Sequence, residues 1–179
     1  NTVVLKPAET TSLTALKLAE IIQEADLPPG VVNIVTGAGA TGAAIVNHSD
    51  IDKIAFTGST GVGKIIMKSI AGTDKKSTME LGGKAANIIF EDAPLDQAVE
   101  GVINGIYFNQ GHVCCAGSRL FIQESVYDIV LRKLKDRIQS LVLGDPLDKN
   151  TDIGAINSKE QLATINKYLK IGQQEGADM

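Results

Sequence analysis

The chain has two cysteines and two histidines, and both cysteines and one histidine fall in the stretch FNQGHVCCAGSR, Phe108 to Arg119, which carries no charge until its last residue. Four readings compete for it: a metal site, a disulfide, a buried apolar corner, or a nucleophile held in a loop. Adjacent cysteines do not easily bridge each other, so with no third cysteine a disulfide needs a second chain, and a reducing compartment is the simpler assumption. Zinc would have to draw on Cys114, Cys115, His48 and His112, which lack the paired short spacings of structural sites, so no metal is expected. A thiol of ordinary pKa, about 8.5, is only a few per cent thiolate at neutral pH, so a nucleophile here needs activation or a tolerant reaction. His112 is the nearest base, yet residues i and i+2 seldom face each other in a loop. Burial remains open as well, since a free cysteine often simply packs.

A carboxylate supplies a second candidate. Glu80 in MELGGK lies between Met79 and Leu81 and is followed by two glycines that permit close backbone approach. Partial desolvation at a strand end would let it act as a base; the bland alternative is a strand-end glutamate in water. Two glycine-rich turns compete as a nucleotide site. GAGATG, Gly37 to Gly42, is a literal G-x-G-x-x-G after a predicted strand, but no acidic residue ends the next strand, where Thr57 stands. GSTGVG, Gly58 to Gly63, also joins a strand to a helix and adds two hydroxyls that can donate to phosphate oxygens.

The elements that must position these residues follow a repeating rhythm. An apolar β-rich run, a turn of small residues and a helical pattern recur three times: Thr2–Leu5 then a helix over 12–25, Val31–Val35 then a short helix through Ile45 and Val46, Lys53–Thr57 then a helix over 62–71. This alternation predicts a parallel, three-layer α/β sheet with right-handed crossovers. The pattern changes after that. STMEL and AANIIF read as two short strands with GGK between them, too close for a crossover helix. Leu95, Val99, Val102, Ile103 and Ile106 then form the stripe of a core-facing helix that stops near Gly111, with Asp92 as its expected N-cap. A strand over 119–123, a helix over 126–141, a turn at GDPLD and a last helix over 159–171 complete the reading. The boundary is placed at Lys84, giving units 1–83 and 84–179.

At 179 residues, 44% hydrophobic and with a net charge of −4, the chain reads as an ordinary globular protein without the basic surface of a nucleic-acid binder. The longest uncharged run, Leu27 to Ser49, holds two prolines and four glycines and makes a poor bilayer helix. The chain opens on NTVVLKP, already inside an apolar run and without a methionine, and so reads as a piece of something longer.

MELGGK at 79–84 and FNQGHVCCAGSR at 108–119, preceded by NTVVLKPAE at 1–9 and AFTGSTGVG at 55–63, resemble the central portion of an aldehyde dehydrogenase. The four motifs stand in the family's order over most of the chain. The resemblance implies a partial, Rossmann-like NAD-binding domain continuing into part of an α/β catalytic domain. It implies Cys114 as nucleophile and Glu80 as base, with Cys115 a bystander. Gly58, Ser59 and Val62 would meet the pyrophosphate, Lys6 and Glu9 the adenosine ribose, and Gly39 and Leu81 would line the cofactor. A carboxylate at position 9 suits free ribose hydroxyls and repels a 2′-phosphate, favouring NAD over NADP. One departure is His112, where the family usually carries Gln or Glu. The implied reaction oxidises a small aldehyde to an acid through a thiohemiacetal and a thioester. A CoA-acylating relative and a non-catalytic scaffold are the alternatives. The oxyanion-binding Asn, a downstream Glu and the dimerising arm of the family lie outside this chain. A homo-oligomeric, intracellular full-length protein is expected, cytoplasmic first and mitochondrial second.

Overall fold

The structure is a computed structural model that describes residues 1–178, and the chain divides after Gly82 into two compact units. In the first, β1 (Val3–Leu5) pairs in parallel with β2 (Val32–Ile34), and β3 (Lys53–Gly58) with β4 (Lys76–Leu81). Helices α1 (Ser12–Glu24), α2 (Gly39–Asn47) and α3 (Thr60–Ile70) follow β1, β2 and β3, as the repeat predicts. On α3, Gly63, Ile66 and Ile70 are buried at the i, i+3, i+7 spacing of one helix face, and the two isoleucines meet Ile54 of β3 and Val46 of α2 in a single apolar cluster. Along β3 burial alternates, Ile54 buried and Phe56 half-buried, as a strand with one packed face requires.

In the second unit, β5 (Ala86–Ile89) pairs in parallel with β6 (Arg119–Ile122), with α4 (Leu95–Tyr107) between them in sequence. After β6 come α5 (Tyr127–Gln139) and α6 (Lys159–Gln174). Val99, Val102 and Ile103 of α4 pack on Val130 and Leu134 of α5 and on Ile89, the stripe expected from the sequence. Across that seam Lys133 meets Asp96 and Arg137 meets Glu100 at 2.5 and 2.7 Å. These pairs are exposed, so solvent screening leaves each of them weak.

Several local expectations change. Asp92 is not the cap of α4: it sits inside a turn closed by the Ala93 amide on the Phe90 carbonyl, Pro94 takes the cap position in extended geometry, and no side chain caps the helix. The preceding helix, α3, begins at Thr60 rather than 62, because Ser59 caps it. Strands β4 and β5 do not pair with each other; each takes a partner from a different part of the chain. Among the described residues the parallel strands form three two-stranded pairs rather than one continuous sheet.

The exposed surface is 13257 Å², whereas a self-contained globule of this mass exposes about 8,300 Å² and two independent ones of half the mass about 10,000 Å². Large apolar side chains contribute to it: Leu13, Ile65, Ile88, Phe90 and Phe108 all stand in solvent. Faces are left open that complete domains would cover.

Candidate functional site

The cysteines occupy a tight turn at the end of α4. The helix ends at Tyr107, and Asn109 (φ 50°), Gln110 (φ 54°) and Gly111 (φ 75°) then run left-handed in succession. Glycine does this freely and asparagine with little penalty, but a glutamine there costs about 1–2 kcal/mol, so surrounding bonds must hold it. The His112 amide donates to the Asn109 carbonyl at 2.9 Å. The Ala116 amide donates to the Val113 carbonyl at 3.0 Å, which places Cys114 and Cys115 at the two central positions of a turn, both exposed. Ala116 is buried beneath it, and the Gly117 amide caps the Gly105 carbonyl in the last turn of α4 at 3.1 Å. The turn is therefore anchored to the helix on one side. On the other, the chain at Gly83 passes so close that a Cβ there would lie 3.3 Å from the Cys114 carbonyl oxygen, which accounts for the second glycine of ELGGK.

Neither thiol is buried, which removes the apolar-corner reading of this stretch. His112 makes no hydrogen bond to either sulfur; its ring is half-buried and Nε2 has no partner among the described residues. A Cys–His pair is not formed. No group of three or more His, Cys, Asp or Glu side chains gathers as a metal site among the described residues.

In the first unit the sequence-predicted cofactor residues gather at the carboxyl ends of parallel strands, where α/β sheets bind ligands. Lys6 directly follows β1. Its ammonium donates to the carbonyls of Pro7 and Gly37 at 2.7 and 2.9 Å and lies 3.6 Å from the Glu9 carboxylate. The Glu9 carboxyl is held below its ordinary value, first by a hydrogen bond to its own backbone amide and then by the Lys6 charge. Gly39 opens α2, and a Cβ added there would meet nothing within 4 Å. Gly58 ends β3 opposite Leu81 of β4, and Ser59 is the N-cap of α3, its Oγ accepting from the Val62 amide at 3.2 Å. Val62 remains 44% exposed in the first helical turn, an apolar side chain beside the free amides of a helix N-terminus. Glu80 is exposed on β4, opposite Thr57. It belongs to the first unit and Cys114 to the second.

Four contributors escaped the sequence reading. Gly63, the last glycine of GSTGVG, lets α3 lie on β4: a Cβ there would fall 2.6 Å from a Leu81 methyl. Its place as third glycine in a strand-to-helix turn was the available signal. Gly37 (φ 152°) has no room for a side chain against Thr41. Asn109 and Gln110 hold the strained entry to the cysteine turn, and the Asn-x-Gly spelling of NQG was the clue to left-handed backbone.

Comparisons with known proteins identify the family of the chain. The family model described as "Aldehyde dehydrogenase family" matches residues 1–179. The chain belongs to the aldehyde dehydrogenase family, whose members are oxidoreductases. It is 51% identical over 181 positions to the cytosolic aldehyde dehydrogenase 1 of Rattus norvegicus, covering 100% of this chain and 36% of that protein. A mitochondrial aldehyde dehydrogenase from Mesocricetus auratus is 51% identical over the same share. The NAD-dependent aldehyde dehydrogenase of Sinorhizobium meliloti matches in structure with a TM-score of 0.95 at 42% identity, over 98% of this chain and 35% of that one. A double mutant of Staphylococcus aureus betaine aldehyde dehydrogenase in complex with NAD+ matches with a TM-score of 0.93 at 39% identity, over 98% of this chain and 36% of that chain. The chain thus spans about 36% of the length of its curated relatives. No helix among the described residues is long and apolar enough to cross a membrane.

Proposed function

We propose that the full-length protein oxidises a small aldehyde to a carboxylic acid with NAD, using Cys114 as nucleophile and Glu80 as base. The observation that carries this reading is the Cys114 turn: an exposed thiol on a backbone held from both sides, with its own amide in no hydrogen bond among the described residues. The thiolate adds to the carbonyl carbon, and the carbonyl oxygen becomes an alkoxide that the Cys114 amide is free to bind. Covalent capture is needed because a free aldehyde is a poor hydride donor. NAD, when bound, supplies the two-electron acceptor that takes the hydride from that carbon. The thioester left on Cys114 is cleaved by water; Glu80 takes the proton from that water, and the carboxylate leaves as the thiolate is restored.

The residues present fit a dinucleotide. The N-terminus of α3 exposes amides beside the Ser59 hydroxyl and the apolar Val62, Leu81 and Gly58 stand at the same strand ends, and the space above Gly39 is open. The exposed Glu9 carboxylate beside Lys6 supports NAD over NADP through charge repulsion of a 2′-phosphate. The division after Gly82 supports reading 1–83 as part of the NAD-binding domain and 84–179 as part of the catalytic domain. Relatives named cytosolic and mitochondrial support an intracellular, cytoplasmic or mitochondrial, protein, and the uncovered apolar surface supports a homo-oligomeric full-length form.

The test is Glu80→Gln in the full-length protein, followed by rapid-mixing NADH absorbance with an aldehyde. The variant keeps the shape but loses the proton acceptor, so a burst stoichiometric with enzyme is expected, then a steady state slower by about 100-fold or more. An unchanged steady-state rate refutes the general-base role. A CoA-acylating enzyme would instead show turnover restored by added thiol acceptor, and a scaffold would show no burst in the unmodified protein.

A further inference from the structure

We propose that Asn109 and Gln110 form a carboxamide relay that positions the Cys114 turn by tying it to Gly154. The relay builds on the reading of Cys114 as nucleophile and assigns two positioning residues to it. The Gln110 carboxamide, oriented to match its neighbours, accepts from the Gly154 amide at 3.2 Å and donates to Asn109 Oδ1 at 3.3 Å and to the Asn109 carbonyl at 3.1 Å. The Asn109 side-chain Nδ2 in turn donates to the His112 carbonyl at 3.4 Å. Hydrogen bonds therefore run in series from Gly154 to Gln110, to Asn109, and to the backbone two residues before Cys114.

Both residues are held in left-handed backbone, Asn109 at φ 50°, ψ 42° and Gln110 at φ 54°, ψ 26°. In that conformation a glutamine is not at rest, and its side-chain bonds are what the fold offers in return. The far end of the relay is firm. Residues 142–153 close on themselves: the Gly144 amide donates to Ile153, the Ile153 amide to Val142, and the Val142 amide to the Asp152 carboxylate at 2.9 Å. Gly154 continues from this closed loop, and a Cβ on it would sit 3.3 Å from the end of the Gln110 carboxamide and 3.4 Å from Pro146. A side chain at this position would press on the contact. The turn thus has a third support, beyond the α4 cap at Gly117 and the close passage at Gly83, and this one comes from a segment more than forty residues later in the sequence.

The relay carries no titratable group, so it acts on where the thiol stands and not on its protonation. The experiment measures the rate at which iodoacetamide alkylates Cys114 and Cys115 in the full-length protein, each cysteine resolved by peptide mass mapping, as a function of pH. The variants are Gln110→Met, which keeps length and loses every bond, and Asn109→Gly, which keeps the left-handed backbone and loses the carboxamide. Gln110→Met is expected to change the Cys114 rate by about tenfold, with the midpoint of its pH profile unmoved. Asn109→Gly should do the same, and the double variant should be no worse than either single one, because links in series fail together. With propanal as substrate, kcat should fall while KM holds.

Unchanged Cys114 alkylation in both single variants overturns the relay, as does an additive loss in the double variant. Recovery of the full rate in Asn109→Gly would show that backbone conformation alone matters, which also overturns it. Should Gln110→Met fail to fold, Gly154→Ala addresses the same contact from its other end and is read by the same labelling. The nucleophile assignment fails separately: Cys114→Ser retaining aldehyde oxidation would remove it, while the labelling rates would still report whether the relay sets the geometry of the turn.

Discussion

Ser59 caps α3 and is proposed to meet the pyrophosphate, two roles that substitution can separate. Its Oγ accepts from the Val62 amide at 3.2 Å, capping α3, and its hydroxyl proton stays free to donate to an incoming phosphate oxygen. Ser59→Ala removes both. Loss of the cap costs about 1 kcal/mol, which leaves the Val62 amide without an acceptor and should speed its hydrogen exchange about fivefold. Loss of the donor to a charged oxygen costs about 1.5–3 kcal/mol, reduced toward the lower limit here because Ser59 is exposed; the Kd for NAD should rise about tenfold. Ser59→Gly loses the same donor, yet glycine caps within a few tenths of a kcal/mol of serine, so its Kd should rise as much while the exchange rates of α3 stay near their starting values. Ser59→Thr keeps both groups and should resemble the parent. Calorimetric titration of the full-length protein with NAD, beside amide exchange of its first α3 turn, reads the two effects independently. An unaltered Kd in both Ala and Gly variants would refute the claim that this hydroxyl faces the pyrophosphate, whatever happens to the helix.

Cys114→Ser should abolish aldehyde-dependent NADH formation in the full-length protein while Cys115→Ser leaves most of it; equal loss from both would sink the assignment, since the two thiols are equally exposed. Glu9→Gln should narrow the ratio of kcat/KM between NAD and NADP by removing repulsion of the 2′-phosphate, and a parent enzyme faster with NADP would count against the role. The Glu9 carboxyl titrates below its ordinary value. A depressed value means that the charged form persists as pH falls through the unfolded value and is lost only on passing the lower, folded one. The NAD preference should therefore hold from pH 7 down to about pH 5, and loss of preference already between pH 7 and 6 would point to some other group.

Much of this molecule was legible before any coordinates. The strand, glycine turn and helix rhythm placed all three helices of the first unit, and the α4 stripe from Leu95 to Ile103 was found as read, because periodicity records burial directly. Helix starts were less legible. Asp92 has a capping side chain, but the Phe90 to Ala93 turn had already taken its stretch of backbone. The candidate site divides the same way. The gathering of Lys6, Gly58, Ser59 and Leu81 at strand ends followed from parallel strands, whereas the ammonium of Lys6 on the Gly37 carbonyl could not be foreseen from spacing.

The amino-acid sequence by itself determined the local chemistry: an uncharged turn with two thiols, a carboxylate before two glycines, and strands that must be parallel because helices separate them. These depend on residue type and on neighbours a few positions away. Only the tertiary structure decided that β4 pairs with β3 and β5 with β6, that Gly63 lies on Leu81, and that Gln110 reaches Gly154. Such contacts join residues distant in sequence, and their free energy comes from packing and from bonds to groups that no local pattern specifies. The left-handed pair at Asn109 and Gln110 shows the difference most directly: asparagine and the following glycine permit the conformation, but a glutamine between them keeps it because a distant amide holds its side chain.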